Sequence, residues 1–272
     1  MKKIMIATDF SQCAGNAMEY ALDLATLCNG EVSVIHAIHP TEGIDNNVYN
    51  SLYITEYYEA KKKALEAWIE AYKTEARYSQ LTIKTVCEVG FLADMLEAQI
   101  SAEAPDLLVM GTMGATGIGT LLGSNASMIT SKVRIPTLLI PLGQQFKPKA
   151  KFVLASDFSE NSLQPMAKFL NDFLEICEIT EIDVVSVLEG TDKPSKNDEI
   201  ELLKPLVNAS ARFHYIHDTS PIKAIDNYIE GNEIEILCTV KHHQSFLYRL
   251  FFNSRTKALA NQALTTILVL HD

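Results

Sequence analysis

The 272-residue chain has no apolar run approaching the ~20 residues that a membrane-spanning helix needs. It has no Cys-x-x-Cys pair and no Cys/His cluster at metal-ligand spacing. Its five cysteines (Cys13, Cys28, Cys87, Cys177 and Cys238) are odd in number and scattered. A disulfide framework and a structural zinc site are both excluded on that pattern, which leaves buried thiols in a reducing compartment. Cys13 stands apart because it opens a helix, where a thiolate is favoured. Positive charge is also scarce: 23 Lys and Arg against 34 Asp and Glu give a net charge of −11. Phosphate neutralisation needs a basic surface, so broad affinity for nucleic acid or an anionic membrane is excluded, whereas one small nucleotide in one pocket is not. The opening MKKIMIATDF has two lysines and then only four apolar residues. That is too short for a signal-peptide core, so it reads as a first strand and the expected location is the cytoplasm.

What the chain does contain is a repeat. Residues 3–11 read KIMIATDFS and residues 151–159 read KFVLASDFS. Each is followed by apolar residues at helical spacing: Ala14, Ala17, Met18, Ala21, Leu22, Ala25 and Cys28 in the first, Leu163, Met166, Phe169, Leu170, Phe173, Leu174 and Cys177 in the second. DLLVMGT (106–112) is matched with EIEILCT (233–239), and IPTLLIP (135–141) with LTTILVL (264–270). The intervening LGQQFKPKA has the composition of a linker. Two domains are expected, at 1–143 and 150–272. In the first, strands are expected near 2–7, 31–38, 82–88, 106–111 and 137–141, with helices near 11–28, 50–76, 91–102 and 124–132. Such alternation predicts an α/β fold in which helices cover both faces of a parallel sheet. Ligands of such sheets bind at the carboxyl ends of strands where the winding reverses.

The first strand ends in Ala7-Thr8-Asp9-Phe10-Ser11. Ser11 is expected to cap the next helix, leaving Asp9 free to accept hydrogen bonds from a ribose or an adenine amine. The second strand ends in His36-Ala37-Ile38-His39. Neither histidine has a carboxylate or second histidine at ligand spacing, so structural roles are expected for both, while the small Ala37 suits close approach of a flat base. The fourth strand runs into GTMGATGIGTLLGSN, which holds five of the twelve glycines. Gly111 and Gly114 would permit a tight turn with exposed N–H groups, and Gly123-Ser124 would open a helix whose start suits an anion. No Lys or Arg occurs from 111 to 131, so neutralisation falls to backbone N–H groups, the helix dipole and a bound Mg²⁺. The stretch lacks the Lys of a Walker A loop, and it follows the fourth strand, where a dinucleotide fingerprint would follow the first.

Taken together, the three strand ends and the repeat resemble a tandem universal stress protein. The resemblance implies two five-stranded parallel sheets of order 3-2-1-4-5 and a nucleotide site built from a strand-one Asp and the pattern Gly-x2-Gly-x9-Gly-Ser/Thr. Carried onto this sequence, Ala7 and Asp9 would flank adenine and ribose, and Ala37 would contact adenine. Met110, Gly111, Gly114, Gly123, Ser124 and Asn125 would hold phosphates. Eight residues rather than nine separate Gly114 from Gly123, and Gly117 and Gly119 can absorb the difference. The second copy keeps Asp157 but has no glycine in CTVKHHQSFLYRLFFNS. There Asn253-Ser254 keeps helix-cap chemistry, and Lys241, His242, His243, Arg249 and Arg255 make the loop basic. It is expected to have lost nucleotide binding and to serve as a structural or interaction half.

The resulting expectation is a cytoplasmic stress-response protein that binds ATP or another adenine nucleotide in its N-terminal half and acts as a ligand-modulated regulator of unknown protein partners. Neither catalytic residues nor metal ligands are assigned. A slow ATPase would need a general base, and 112–131 holds no Asp, Glu, His or Lys. A nucleotide-free interaction protein is the third reading. The apolar fifth strands of the two copies are expected to pair with each other as an internal pseudo-dimer, with homodimerisation left open.

Overall fold

The structure, a computed structural model, describes residues 1–42, 51–113, 123–158, 163–188, 193–241 and 265–271. The expectations for Gly114, Gly117, Gly119, His242, His243, Arg249, Asn253, Ser254 and Arg255 fall outside these residues, as does the side chain of Lys241.

The first half contains β1 (Lys3–Ala7), α1 (Gln12–Cys28), β2 (Glu31–Ile38), α2 (Ser51–Lys73), β3 (Thr82–Val89), α3 (Leu92–Glu103), β4 (Leu107–Gly111), α4 (Ser124–Lys132) and β5 (Thr137–Ile140). The second contains β6 (Phe152–Ala155), α5 (Ala167–Ile176), β7 (Glu181–Leu188), α6 (Lys196–Leu203), β8 (Ser210–His217), α7 (Pro221–Asn232), β9 (Ile236–Lys241) and β10 (Thr266–His271). All ten strands form one sheet in the order β3-β2-β1-β4-β5-β10-β9-β6-β7-β8. Each half therefore has the order 3-2-1-4-5. Pairing is parallel within each half and antiparallel only at the seam, where Thr137–Leu139 of β5 face Ile267–Val269 of β10. Joining the two fifth strands covers two apolar edges that would otherwise template aggregation.

Strand alternation assigns the layers. Ile4 and Ile6 point into a core shared with α1, α2, α5 and α6, which runs unbroken across both halves. Met5 and Ala7 point the other way, into a core formed with α3 and α4 that also takes Ile267 and Val269 from β10. Under α7 lies a third core, holding Val153, Ala155, Val185 and Leu237. On α1, Tyr20 is buried at the seam, hydrogen-bonded to Thr266 of β10 and edge-on to Phe146. All five cysteines are free and buried, Cys13 included.

Three expectations are corrected. The helix expected to reach Ala76 stops at Lys73, where the Thr74 hydroxyl bonds back to the Ala71 carbonyl at 2.7 Å; Ala76 begins a separate 3-10 turn. In the second half, residues 164–166 form a 3-10 turn around Pro165, and α5 starts only at Ala167. The pairing of the two copies also shifts. Ala7 pairs with Met110 and Ala155 pairs with Thr239, so Met110 corresponds to Thr239 and Gly111 to Val240. The match of Gly111 with Cys238 is two residues out. An offset of two preserves the period-two burial pattern, which is why alternation could not reveal it. Likewise Leu138 and Ile140 correspond to Leu268 and Leu270, which share their core, a shift of one from the sequence match.

Candidate functional site

The winding reverses at β1, which has β2 on one side and β4 on the other. Register sets Ala7 between Ile35 and Met110, so the carboxyl ends of all three strands meet there. Beyond Ala7 the chain stays tied to β2 through a 3.0 Å bond from the Thr8 N–H to the Ile35 carbonyl. Phe10 then adopts a left-handed backbone, φ 63°, with its N–H donating to the Thr8 hydroxyl at 3.1 Å. A non-glycine residue in this region is uncommon and needs its surroundings to hold it. The second copy repeats the turn: Phe158 has φ 54°, and its N–H donates to the Ser156 hydroxyl at 3.2 Å. The turn around Asp9 and Asp157 is thus repeated in both halves.

Ser11 caps α1 as expected, accepting the Ala14 N–H at 3.1 Å. Asp9 is exposed but not free, because its Oδ1 accepts the Ser11 N–H at 3.0 Å. This corrects the expected division of labour: Ser11 caps the helix, and Asp9 fastens Ser11. A carboxylate has about four lone-pair sites, and this bond, which takes one of them, orients Asp9.

Buried at 5% exposure, His36 donates from Nδ1 to the Thr8 carbonyl at 2.9 Å and rests against Phe10, with ring centroids 4.4 Å apart. Burial lowers its pKa, outweighing the opposing Thr8 carbonyl bond. It is a neutral brace behind the β1 tip. Ala37 faces the opposite side of the sheet, toward α3 and α4, and is partly exposed.

At the end of β4, Met110 is buried and Gly111 partly so. A Cβ on Gly111 would come within 2.9 Å of the Cys13 Sγ, 3.1 Å of the Cys13 carbonyl carbon and 3.2 Å of its oxygen. Space for α1 is therefore what demands glycine here, rather than a tight turn. In the second half the corresponding residue is Val240, and the helix after the Asp begins later. The Gly123 N–H donates to the Thr112 carbonyl at 2.7 Å, which brings the start of α4 back against the end of β4. Gly123 is the N-cap and Ser124 the first helical residue, where the helix was expected to open. Among the described residues no side chain caps α4, its first turn holds no acidic residue, and Ser124 and Asn125 are exposed. Open N–H groups and an uncompensated positive dipole end suit an anion.

Ala7, Asp9, Ala37, Met110, Gly111, Gly123, Ser124 and Asn125 thus all lie at one end of the sheet on adjacent elements. Thr8, Phe10 and Thr112 escaped the sequence reading; the repeated small-Ser/Thr-Asp-Phe was the signal for the first two. Among the described residues no group of His, Cys, Asp and Glu could hold a metal ion, and no helix is long and apolar enough to cross a membrane.

Residues 1–141 match the universal stress protein family. The universal stress protein MJ0531 of Methanocaldococcus jannaschii is 30% identical over 147 residues, which cover 51% of this chain and 81% of that protein. A universal stress protein from Archaeoglobus fulgidus shares the fold over 99% of this chain and 96% of its own, with a TM-score of 0.70 at 19% identity. Another, solved in complex with cAMP, aligns with 52% of this chain and 98% of its own at 19% identity and a TM-score of 0.37. With its tandem halves and strand order, the chain belongs to the universal stress protein family.

Proposed function

We propose that residues 1–143 form a domain that binds an adenine nucleotide, ATP foremost, at the carboxyl ends of β1, β2 and β4, while the domain at 150–272 does not. The observation that carries this reading is the bond from Gly123 to Thr112. It sets an uncapped, acid-free helix start beside the strand ends that carry Ala7, Asp9 and Ala37. In this reading Ala7 and Ala37 leave room for the base, and Asp9 accepts from the ribose hydroxyls. The N–H groups of Ser124 and Asn125 meet the phosphates beside Met110 and Gly111, with the Gly123 N–H committed to Thr112, and Gly114 lies in the intervening segment. Mg²⁺ would arrive with the phosphates. The role is one of binding rather than catalysis. Occupancy alters a surface offered to partner proteins by no more than the ligand's preference between the bound and free forms of the protein.

Titration with a fluorescent ATP analogue, with and without Mg²⁺, tests the site in wild type and Gly123→Asp. Aspartate is a good N-cap, so α4 keeps its start while gaining a charge that repels phosphate. Binding should weaken at least tenfold in the variant. Equal affinity in the two proteins would remove α4 from the site.

A further inference from the structure

We propose that Phe91 and His39 form an aromatic shelf on which the base of the bound nucleotide stacks, giving the site a preference for purines. The inference rests on the nucleotide reading above and adds two residues that no motif marks. The pairing of β2 with β3 is carried one step past the strands by the Gly90 N–H, which donates to the Ile38 carbonyl at 2.9 Å. This sets His39 and Phe91 side by side, with ring centroids 5.2 Å apart and planes at 80°. On β2 the residues Ile35 and Ala37 alternate onto one side, and His39, one residue past the end of the strand, continues that period. Ile35 shares its core with Ala7 and Met110, so the shelf lies one pleat beyond Ala37 on the same side as the proposed site.

Two features set Phe91 apart from an ordinary exposed apolar residue. It is the N-cap of α3 and offers no side-chain cap bond, at a position where Ser, Thr, Asp or Asn would stabilise the helix. The residue is 55% exposed, yet its backbone is fixed on both sides, by the Gly90 N–H bond to the Ile38 carbonyl and by its own carbonyl, which accepts the Met95 N–H at 3.1 Å. His39 is held as well. Its Nδ1 accepts from the Thr41 N–H at 3.3 Å and is paired with the Thr41 hydroxyl at 2.8 Å. An edge-to-face pair with one open ring face suits a flat base, and purines offer the larger stacking area. In the second half the register makes His217 the counterpart of Val89 and Thr219 the counterpart of Phe91, so the half that lost the glycines has no ring at this place.

The test titrates ATP, CTP and inorganic tripolyphosphate into wild type, Phe91→Ser and Phe91→Trp. Serine keeps the cap position well filled, so α3 should remain folded, with thermal melting as the control. Phe91→Ser should weaken ATP by roughly tenfold, the scale of one base–aromatic stack, narrow the ATP-to-CTP ratio and leave tripolyphosphate unchanged. Phe91→Trp should retain ATP affinity and show tryptophan emission quenched by ATP but not by tripolyphosphate. Wild type that binds ATP while Phe91→Ser matches it overturns the shelf and leaves the nucleotide reading intact. So does a loss in Phe91→Trp as large as in Phe91→Ser. Wild type that binds neither ATP nor tripolyphosphate overturns both.

Discussion

His36 shows how one buried side chain sets a pH response. Burial lowers its pKa, so the unfolded imidazole takes up its proton near pH 6.5 while the folded one does so only at lower pH. Between those two values the unfolded chain binds more protons. Stability is therefore full above about pH 6.5 and falls as the pH drops through that window, until the folded ring titrates too. His36→Asn keeps an N–H for the Thr8 carbonyl and removes the titration. Melting temperatures from pH 7.5 to 5 should fall less steeply in the variant, and parallel profiles would shift the acid sensitivity onto other groups. Of the residues at this end of the sheet, the Ser11 cap was legible in the sequence because it spans three positions, while the equally local bond from the Ser11 N–H to Asp9 was not. The Thr8 carbonyl and His36 were not, because their bond crosses between strands.

Gly111 controls an element. Helix α1 begins directly after Ser11 and presses its first turn, at Cys13, onto the end of β4. Two of the three close atoms belong to the Cys13 backbone, which cannot rotate away as a flexible side chain can. Gly111→Val should cost about 1–3 kcal/mol, the range for overpacking. It should also fray the start of α1, so amide exchange at residues 12–16 should speed up more than at 20–28, and the nucleotide affinity should drop because Asp9 is fastened to Ser11. An unchanged exchange pattern would refute the packing argument. In the second half Val240 holds that position, and α5 begins at Ala167 after the 3-10 turn around Pro165. The sequence comparison showed that glycines were lost there but paired them with the wrong residues.

At the scale of the molecule, the seam decides cooperativity. One core runs through both halves, and β10 places Ile267 and Val269 in a core of the first. A single unfolding transition is expected by calorimetry and by denaturant, and two separated transitions would show that the halves are independent. A chain ending at residue 143 lacks β10 and uncovers β5, where Leu138 and Leu139 are fully buried in the intact protein. That fragment should elute as a dimer from a sizing column, its two β5 edges pairing antiparallel as β5 and β10 do here. A monomeric fragment would mean that the edge tolerates exposure.

The strand order followed only from the family resemblance, whereas the sequence by itself determined the alternation of strands and helices, the duplication and the residues at the tip of β1. These depend on period, spacing and short-range bonds, all of which are written along the chain. Only the tertiary structure decided the two-residue offset between the copies, because alternation is blind to an even slip. It also decided why residue 111 is glycine, because the atoms that crowd it belong to the first turn of α1. And it decided that His39 and Phe91 touch, because strand pairing alone joins two positions that no local pattern connects.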